Sequence, residues 1–278
     1  MARYKILGVL GGGGQGAVYQ ARDLNFPDAK RLVAIKEMNY PSGDPSARAA
    51  TLSTFRREAN ILATLSHPAI PSIYDFFDHD ERAYLVMEYI NGSDLDMLLS
   101  KTKELPINKI IDWAIDLCDV LHYLHHQQEP IIFRDVKPAN IMVNSNGEIK
   151  LMDFGLARRQ MNSELTQTGQ LLGSPRYMSL EQLTGGKISN KSDFFAVGCI
   201  FVELLSGKPL FSGIDFTSML VKRLLWSLPE SDEIRANLDP AIYEVLQGCL
   251  QPRAADRLQG NFTTDDLVRR AREWATLR

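Results

Sequence analysis

The 278-residue sequence is poor in the features that mark the simpler classes of protein. It has three cysteines, Cys118, Cys199 and Cys249. They stand far apart inside apolar periodic segments, without the close pairs that a zinc site or a dithiol redox motif requires. They read as three buried, reduced thiols in a cytosolic protein, which leaves no disulfide framework. No run approaches the roughly 20 apolar residues needed to span a bilayer. The start MARYKILGVLGGGG is too short and too glycine-rich for a secretory signal, so a soluble, cytoplasmic chain with no membrane segment is expected. Charge of one sign is also lacking: 31 basic against 34 acidic residues leave a net charge of -3. No global field therefore draws the chain to nucleic acid or anionic lipid, and any phosphate recognition has to be local. Internal repeats and low-complexity linkers are missing as well.

The composition, 45% hydrophobic, can cover a sizeable core, and the length fits one large domain or two lobes. Up to about residue 90, short β-rich runs alternate with turns: YKILGVL, AVYQARDL, LVAIKEM, PSIYDFF and AYLVMEYI. They predict an antiparallel sheet. One helix interrupts it, where Leu52, Phe55, Ala59, Leu62 and Leu65 recur at helical spacing before Pro68. From Gly92 on, helical periodicity dominates, in DLDMLLS, INKIIDWAIDLCDVLHYLHH and KSDFFAVGCIFVELLSG. The expectation is an α+β chain, a small β-rich lobe before a larger α-rich one, touching along a cleft.

Gly11, Gly13 and Gly16 in LGGGGQGAVY have the spacing G-x-G-x-x-G. A dinucleotide fingerprint needs a helix directly after the glycines, whereas AVYQA carries β-type residues; a Walker loop needs Gly-Lys-Ser/Thr, which is absent. The glycines thus sit at a hairpin tip, which by itself fits a flexible turn or a backbone that approaches phosphate oxygens. Lys36 closes VAIK on the next strand, where alternation turns Ala34 and Lys36 to one face. A buried ammonium needs a partner, and Glu58 in FRREANIL, set among apolar helix positions, offers one; an exposed helix glutamate is the alternative. In PIIFRDVKPAN, Asp135 and Asn140 flank Lys137, and Asp153 closes the β-type run of IKLMDFG. Oxygen ligands of this kind suit Mg²⁺, which takes one or two protein oxygens plus substrate phosphates. Lys137 would favour charge developing on a transferring phosphoryl group.

In chain order, GGGGQGAV, VAIK, Glu58, FRDVKPAN, DFG, SLE and KSDFFAVG resemble the motif set of eukaryotic-type (Hanks-type) Ser/Thr protein kinases, bacterial members included. The match runs over nearly the whole chain. It implies the bilobal protein-kinase fold as a single domain over residues 1–278, with an N-lobe to about 87, a hinge at about 88–92 and a C-lobe from about 93. By this resemblance Lys36 holds the ATP α and β phosphates and pairs with Glu58, while Leu10, Gly11, Gly13, Gly16 and Val18 cover the nucleotide. Met87 is the gatekeeper, the backbones of Glu88 and Ile90 meet the adenine edge, Asp94 reaches the ribose, and Val18, Ala34 and Met142 enclose the base. Asp135 accepts the substrate hydroxyl proton, Lys137 stabilises charge, and Asn140 and Asp153 bind Mg²⁺, with Mn²⁺ as a substitute. The segment from Asp153 to Glu181 resembles an activation segment with hydroxyls at Ser163, Thr166, Thr168 and Ser174. A phosphate on Thr166 or Thr168 would find Arg134 as its partner. Glu181 and Arg257 match the family's buried ion pair, and Asp193 the acid that holds the catalytic-loop backbone.

The implied function is that of a cytoplasmic signalling transferase. It moves the γ-phosphoryl of ATP to Ser or Thr of protein substrates, is itself a phosphoprotein and takes no nucleic-acid partner. Lys137 after RDV and Ser174 in GSPRYM resemble the Ser/Thr branch. Two alternatives stand beside it: a pseudokinase serving as a nucleotide-binding scaffold, and a small-molecule phosphotransferase, which would lack a full activation segment. Four positions, at three places, depart from the family pattern. Phe133 replaces histidine and supplies packing beneath Phe154, with Leu62 and Ile73 above. Ser179-Leu180 replaces Ala-Pro, which removes a proline constraint from the substrate-binding loop. Gln15 replaces an aromatic in a glycine-rich tip that is costly to order, so weak nucleotide affinity is expected. His122, His125 and His126 lie at a helix end, where they suit the helix dipole without a third metal ligand. VRRAREWATLR reads as the solvated face of a final helix.

Overall fold

The computed structural model describes residues 3–13, 16–38, 45–80, 82–102, 105–154, 175–211, 216–225 and 240–257. The chain divides into two compact units, Met1–Asn91 and a second that begins at Gly92.

The first unit is an antiparallel sheet of β1 (Tyr4–Gly13), β2 (Gly16–Asp23), β3 (Leu32–Glu37), β4 (Ile73–His79) and β5 (Arg82–Glu88), in the order β1-β2-β3-β5-β4. Its one helix among the described residues, α1 (Pro45–Thr64), packs on β4. Alternation along the strands sorts the side chains. Ala21, Val33, Ile35 and Val86 are buried on one face, with Tyr4, Phe77 and Tyr84 packed against them. Those three rings stack in series, at 5.8 Å and 5.2 Å between centroids. Arg3, just before β1, bridges β4 and the end of β2: its Nη1 donates to Asp75 on β4 at 2.8 Å, and its Nη2 to Asp23 at 3.1 Å. The Tyr4 hydroxyl donates to the same Asp75 oxygen at 3.0 Å, so the sheet curls until β1 and β4 meet through side chains. On α1, Phe55, Ala59 and Leu62 are buried at helical spacing, with the Phe55 ring 5.5 Å from that of Phe76 on β4.

The second unit is mainly helical: α2 (Leu95–Lys101), α3 (Ile107–His125), α4 (Leu180–Leu183), α5 (Asn190–Ser206), α6 (Phe216–Leu224) and α7 (Pro240–Cys249). Every residue of α5 from 192 to 204 is buried, the pattern of a helix enclosed on all sides. It packs against α3 and α7. Ser189 caps its start, and Gly207, in the left-handed region at φ 67°, ends it by donating its N–H to the Glu203 carbonyl at 2.8 Å. The three cysteines are free and buried here, and burial pushes the thiols of Cys199 and Cys249 up to about 12 and that of Cys118 higher still. Among the described residues no helix is long and apolar enough to cross a membrane.

A three-stranded sheet, β6 (Gly92–Asp94), β7 (Ile141–Asn144) and β8 (Ile149–Leu151), completes this unit. The β-type run before DFG anticipates β8, but β6 and β7 span only three and four residues, too few for alternation to show. β6 approaches β7 so closely that a Cβ on Gly92 would lie 1.9 Å from the Val143 carbonyl oxygen. Since the obstacle is backbone, Gly92→Ala must force the two strands apart. A loss of about 2–3 kcal/mol, read as a lowered midpoint in denaturant unfolding, is expected.

Candidate active site

The loop after α3 is held by a connected set of polar contacts. Its main chain is held from α5 by Asp193, whose side chain is 1% exposed. One Asp193 oxygen accepts from the Phe133 amide at 2.9 Å and faces His125 Nε2 at 2.8 Å; the other accepts from the Arg134 amide at 2.8 Å. Arg134 sits in the left-handed region at φ 72°, an uncomfortable place for a residue with a Cβ. The two bonds to Asp193 hold it there. Phe133, also buried, meets Phe154 edge-on at 5.3 Å and 69°.

The next residues follow from that anchoring. Pro138 opens a 3₁₀ turn, Pro138–Asn140, that folds Asn140 back over Asp135. Asn140 Nδ2 donates to the Asp135 carbonyl at 2.8 Å and to its Oδ2 at 3.1 Å, while Lys137 Nζ reaches the same Oδ2 at 2.8 Å. The Asp135 carboxylate is thereby fixed in orientation, with 14% of its side chain exposed. The Met152 amide donates to the Asn140 carbonyl at 2.7 Å, which sets Asp153 beside the loop at φ 60°. With its Nδ2 committed to Asp135, Asn140 keeps Oδ1 as the amide atom with the chemistry to act as a ligand. An amide oxygen and a carboxylate form the hard, incomplete donor set that suits a divalent cation shared with phosphate. Asp94 and Met142 pair across β6 and β7, and Asp94 caps α2 by accepting from the Met97 amide at 2.7 Å.

In the first unit, Lys36 lies on β3 opposite Val18 and Leu85, and Ala34 opposite Met87. Gly11 pairs with Val18 and Gly13 with Gly16, whose φ of 133° needs glycine. Leu10 is exposed on β1. The Glu88 amide donates to the Ser72 carbonyl at 2.9 Å and its carboxylate accepts from the Ser72 amide at 3.2 Å, while Ile90 is buried. Glu58 falls within α1, but its side chain lies outside the described residues, as do Gln15, Ser163, Thr166, Thr168, Ser174 and the stretch 268–278. His126 Nδ1 meets the carbonyl of His122 at 2.9 Å, so these two histidines close the end of α3.

Beyond Ser174, residues 175–181 are tied to the same loop, since Gln182 Nε2 donates to the Arg134 carbonyl at 2.7 Å. Leu180 is the first residue of α4, a position where proline is favoured because its φ is preset. A capping box does that work here. Gln182 Oε1 accepts from the Ser179 amide at 3.0 Å and from its hydroxyl at 3.1 Å. Glu181 makes a two-pronged pair with Arg257, Oε1 to Nη1 at 2.6 Å and Oε2 to Nη2 at 2.9 Å, and accepts from Ser192 at 2.7 Å. Tyr177 donates to Glu203 on α5 at 2.7 Å. Burial raises the Glu203 carboxyl above the ordinary range despite that bond. Sequence reasoning missed Gln182, Tyr177 and Glu203; the Ser-x-x-Gln spacing of a capping box was the one signal available.

The chain belongs to the protein kinase domain family: that family's model matches residues 4–268. Members use ATP and a divalent cation. The chain is 33% identical to the serine/threonine-protein kinase PrkC of Bacillus subtilis over 95% of its own length and 39% of the relative's. It is 35% identical to PknB of Mycobacterium tuberculosis over 88% of its length and 39% of that protein, and 38% identical to PknB of Mycobacterium leprae over 76% and 33%. It therefore spans less than half the length of these curated relatives.

Arg257 is fully buried and Glu181 only 11% exposed at its side chain, so removing the guanidinium leaves Glu181 a largely desolvated charge without its partner. Arg257→Ala should cost about 3–5 kcal/mol in equilibrium unfolding. Burial works to raise the Glu181 carboxyl, but the Arg257 and Ser192 bonds outweigh it and hold the group below the ordinary glutamate range. A lowered folded-state value means stability is present above the unfolded value of about 4.3 and lost as pH falls through the folded one. The acid limb of a stability-against-pH curve should accordingly flatten in Glu181→Gln.

Proposed function

We propose that this chain transfers the γ-phosphoryl group of ATP to Ser or Thr hydroxyls of proteins, as a single kinase domain over residues 1–278 with the lobe boundaries given above. The observation that carries this reading is the Asp135 carboxylate, held by Lys137 and Asn140 on a loop fixed from beneath by Asp193. A base so oriented meets the incoming hydroxyl in one direction, which is where general-base catalysis gains its rate. Lys137 lies next to it, placed to offset charge that spreads over the phosphoryl oxygens. Asn140 Oδ1 and Asp153 would hold the cation, Mg²⁺ by preference and Mn²⁺ as a substitute; bound there, it neutralises the ATP phosphates. Lys36 paired with Glu58 would fix the α and β phosphates under the glycine hairpin formed by Leu10, Gly11, Gly13, Gly16 and Val18. Ala34, Met87, Glu88, Ile90, Asp94 and Met142 would take the adenosine.

The acceptor peptide would lie along residues 175–181, which Gln182 ties to the residue before Asp135. Regulation is proposed through phosphorylation of Thr166 or Thr168. Arg134 supports this, because its Nε is buried and lacks a hydrogen-bond partner among the described residues, a donor suited to an incoming phosphate. The substrates are cytoplasmic proteins in this reading.

Incubation with labelled ATP, Mg²⁺ and a protein substrate tests the proposal directly. Asp135→Asn should lower the rate by about 10²–10⁴-fold. Equal labelling by both chains would sink the enzyme reading and leave a nucleotide-binding scaffold in its place. Thr166→Ala combined with Thr168→Ala should reduce activity and remove the main autophosphorylation sites from a phosphopeptide map; an unchanged rate and map would end the regulatory part.

A further inference from the structure

Arg223, on α6, is with Arg257 one of the two largest fully buried side chains among the described residues, at 1% exposure. A guanidinium leaves water at high cost unless its N–H groups are met. Here Nε donates to the Met178 carbonyl at 2.9 Å, Nη1 to Met219 at 3.1 Å, and Nη2 to Arg176 at 3.0 Å and also to Pro175. Every acceptor among the described residues is a main-chain carbonyl, and all but Met219 belong to residues 175–178. The Phe211 ring lies 4.4 Å below the guanidinium and stacks on Phe195 at 5.7 Å. Arg257 covers Phe195 at 4.8 Å. Two buried guanidiniums thus flank one aromatic pair, Arg257 gripping Glu181 and Arg223 the residues just before it. Burial pulls Arg223 down to about 10, so it is charged at neutral pH.

We infer that Arg223 is a positioning residue for the protein substrate, setting the main-chain course of residues 175–178 through its fork of hydrogen bonds. The inference rests on the kinase reading above, which lays the acceptor peptide on that segment. Arg223 acts at a distance from the reacting groups. By drawing three carbonyl oxygens inward it decides which groups of the segment face outward, where the Arg176 side chain is exposed. Leu180 supplies no covalent restriction at this place; Arg223 restricts the chain from outside. Only a planar fork can meet carbonyls on three residues at fixed angles, whereas a lysine ammonium is a single point of charge.

The test is steady-state kinetics of the full chain, with casein and ATP varied in turn, on Arg223→Lys and on the milder Phe211→Leu. In Arg223→Lys the KM for casein should rise about tenfold, with the KM for ATP within about twofold of the parent. Phe211→Leu should shift the same constant in the same direction by less. An unchanged KM for casein, or an equal loss toward both substrates in a folded variant, overturns the role. If Arg223→Lys does not fold, Phe211→Leu decides by the same criterion. A parent chain that labels no protein refutes the kinase reading and this role with it; an active parent with unaltered variants refutes the role alone.

Discussion

The carboxylate of Asp193 is the contact on which the rest of the site depends. It rises from α5, buried at every residue from 192 to 204, and takes two consecutive amides of the loop that carries Asp135. Charge-assisted hydrogen bonds of this sort contribute about 1.5–3 kcal/mol each. A left-handed conformation at a residue with a side chain costs about 1–3 kcal/mol. The pair of bonds therefore outweighs the strain at Arg134, and the loop keeps a shape it would not adopt alone. Rigidity passes from a core helix to the loop that carries Asp135 through one buried side chain.

The same dependence explains what could be read from the sequence. Asp135, Lys137 and Asn140 are local, so their chemistry and spacing show in six residues, and the structure places their side chains in contact. The five strands and the long helices were legible because each is long enough for its period to emerge. Glu181 and Arg257 lie 76 positions apart, and nothing in spacing connects them; family likeness did. Arg223 was invisible for a different reason. In VKRLL it follows Lys222 at the end of an amphipathic helix, and the two cations look alike, yet Lys222 is exposed and Arg223 is not. Composition cannot distinguish a solvated cation from one satisfied by distant carbonyls. Gly92 gave no sign either, since its need arises from a strand it meets only after folding.

Phe133 shows how a departure from pattern becomes harmless when its surroundings are known. Its amide does the polar work by donating to Asp193, and its ring does the packing against Phe154, so the side chain needs no hydrogen bond of its own. The position asks for area and shape, which an aromatic hydrocarbon supplies.

Leu180 is the more instructive departure. In this chain the turn before Glu181 is stored in Ser179 and Gln182 rather than in a proline ring. A pattern search that demands Ala-Pro-Glu at the end of the segment would pass over a protein built this way, although it preserves the turn itself. Screens for divergent relatives would do better to accept Ser-x-x-Gln as an equivalent spelling, and to look for an arginine some forty residues downstream that reaches back to the same backbone.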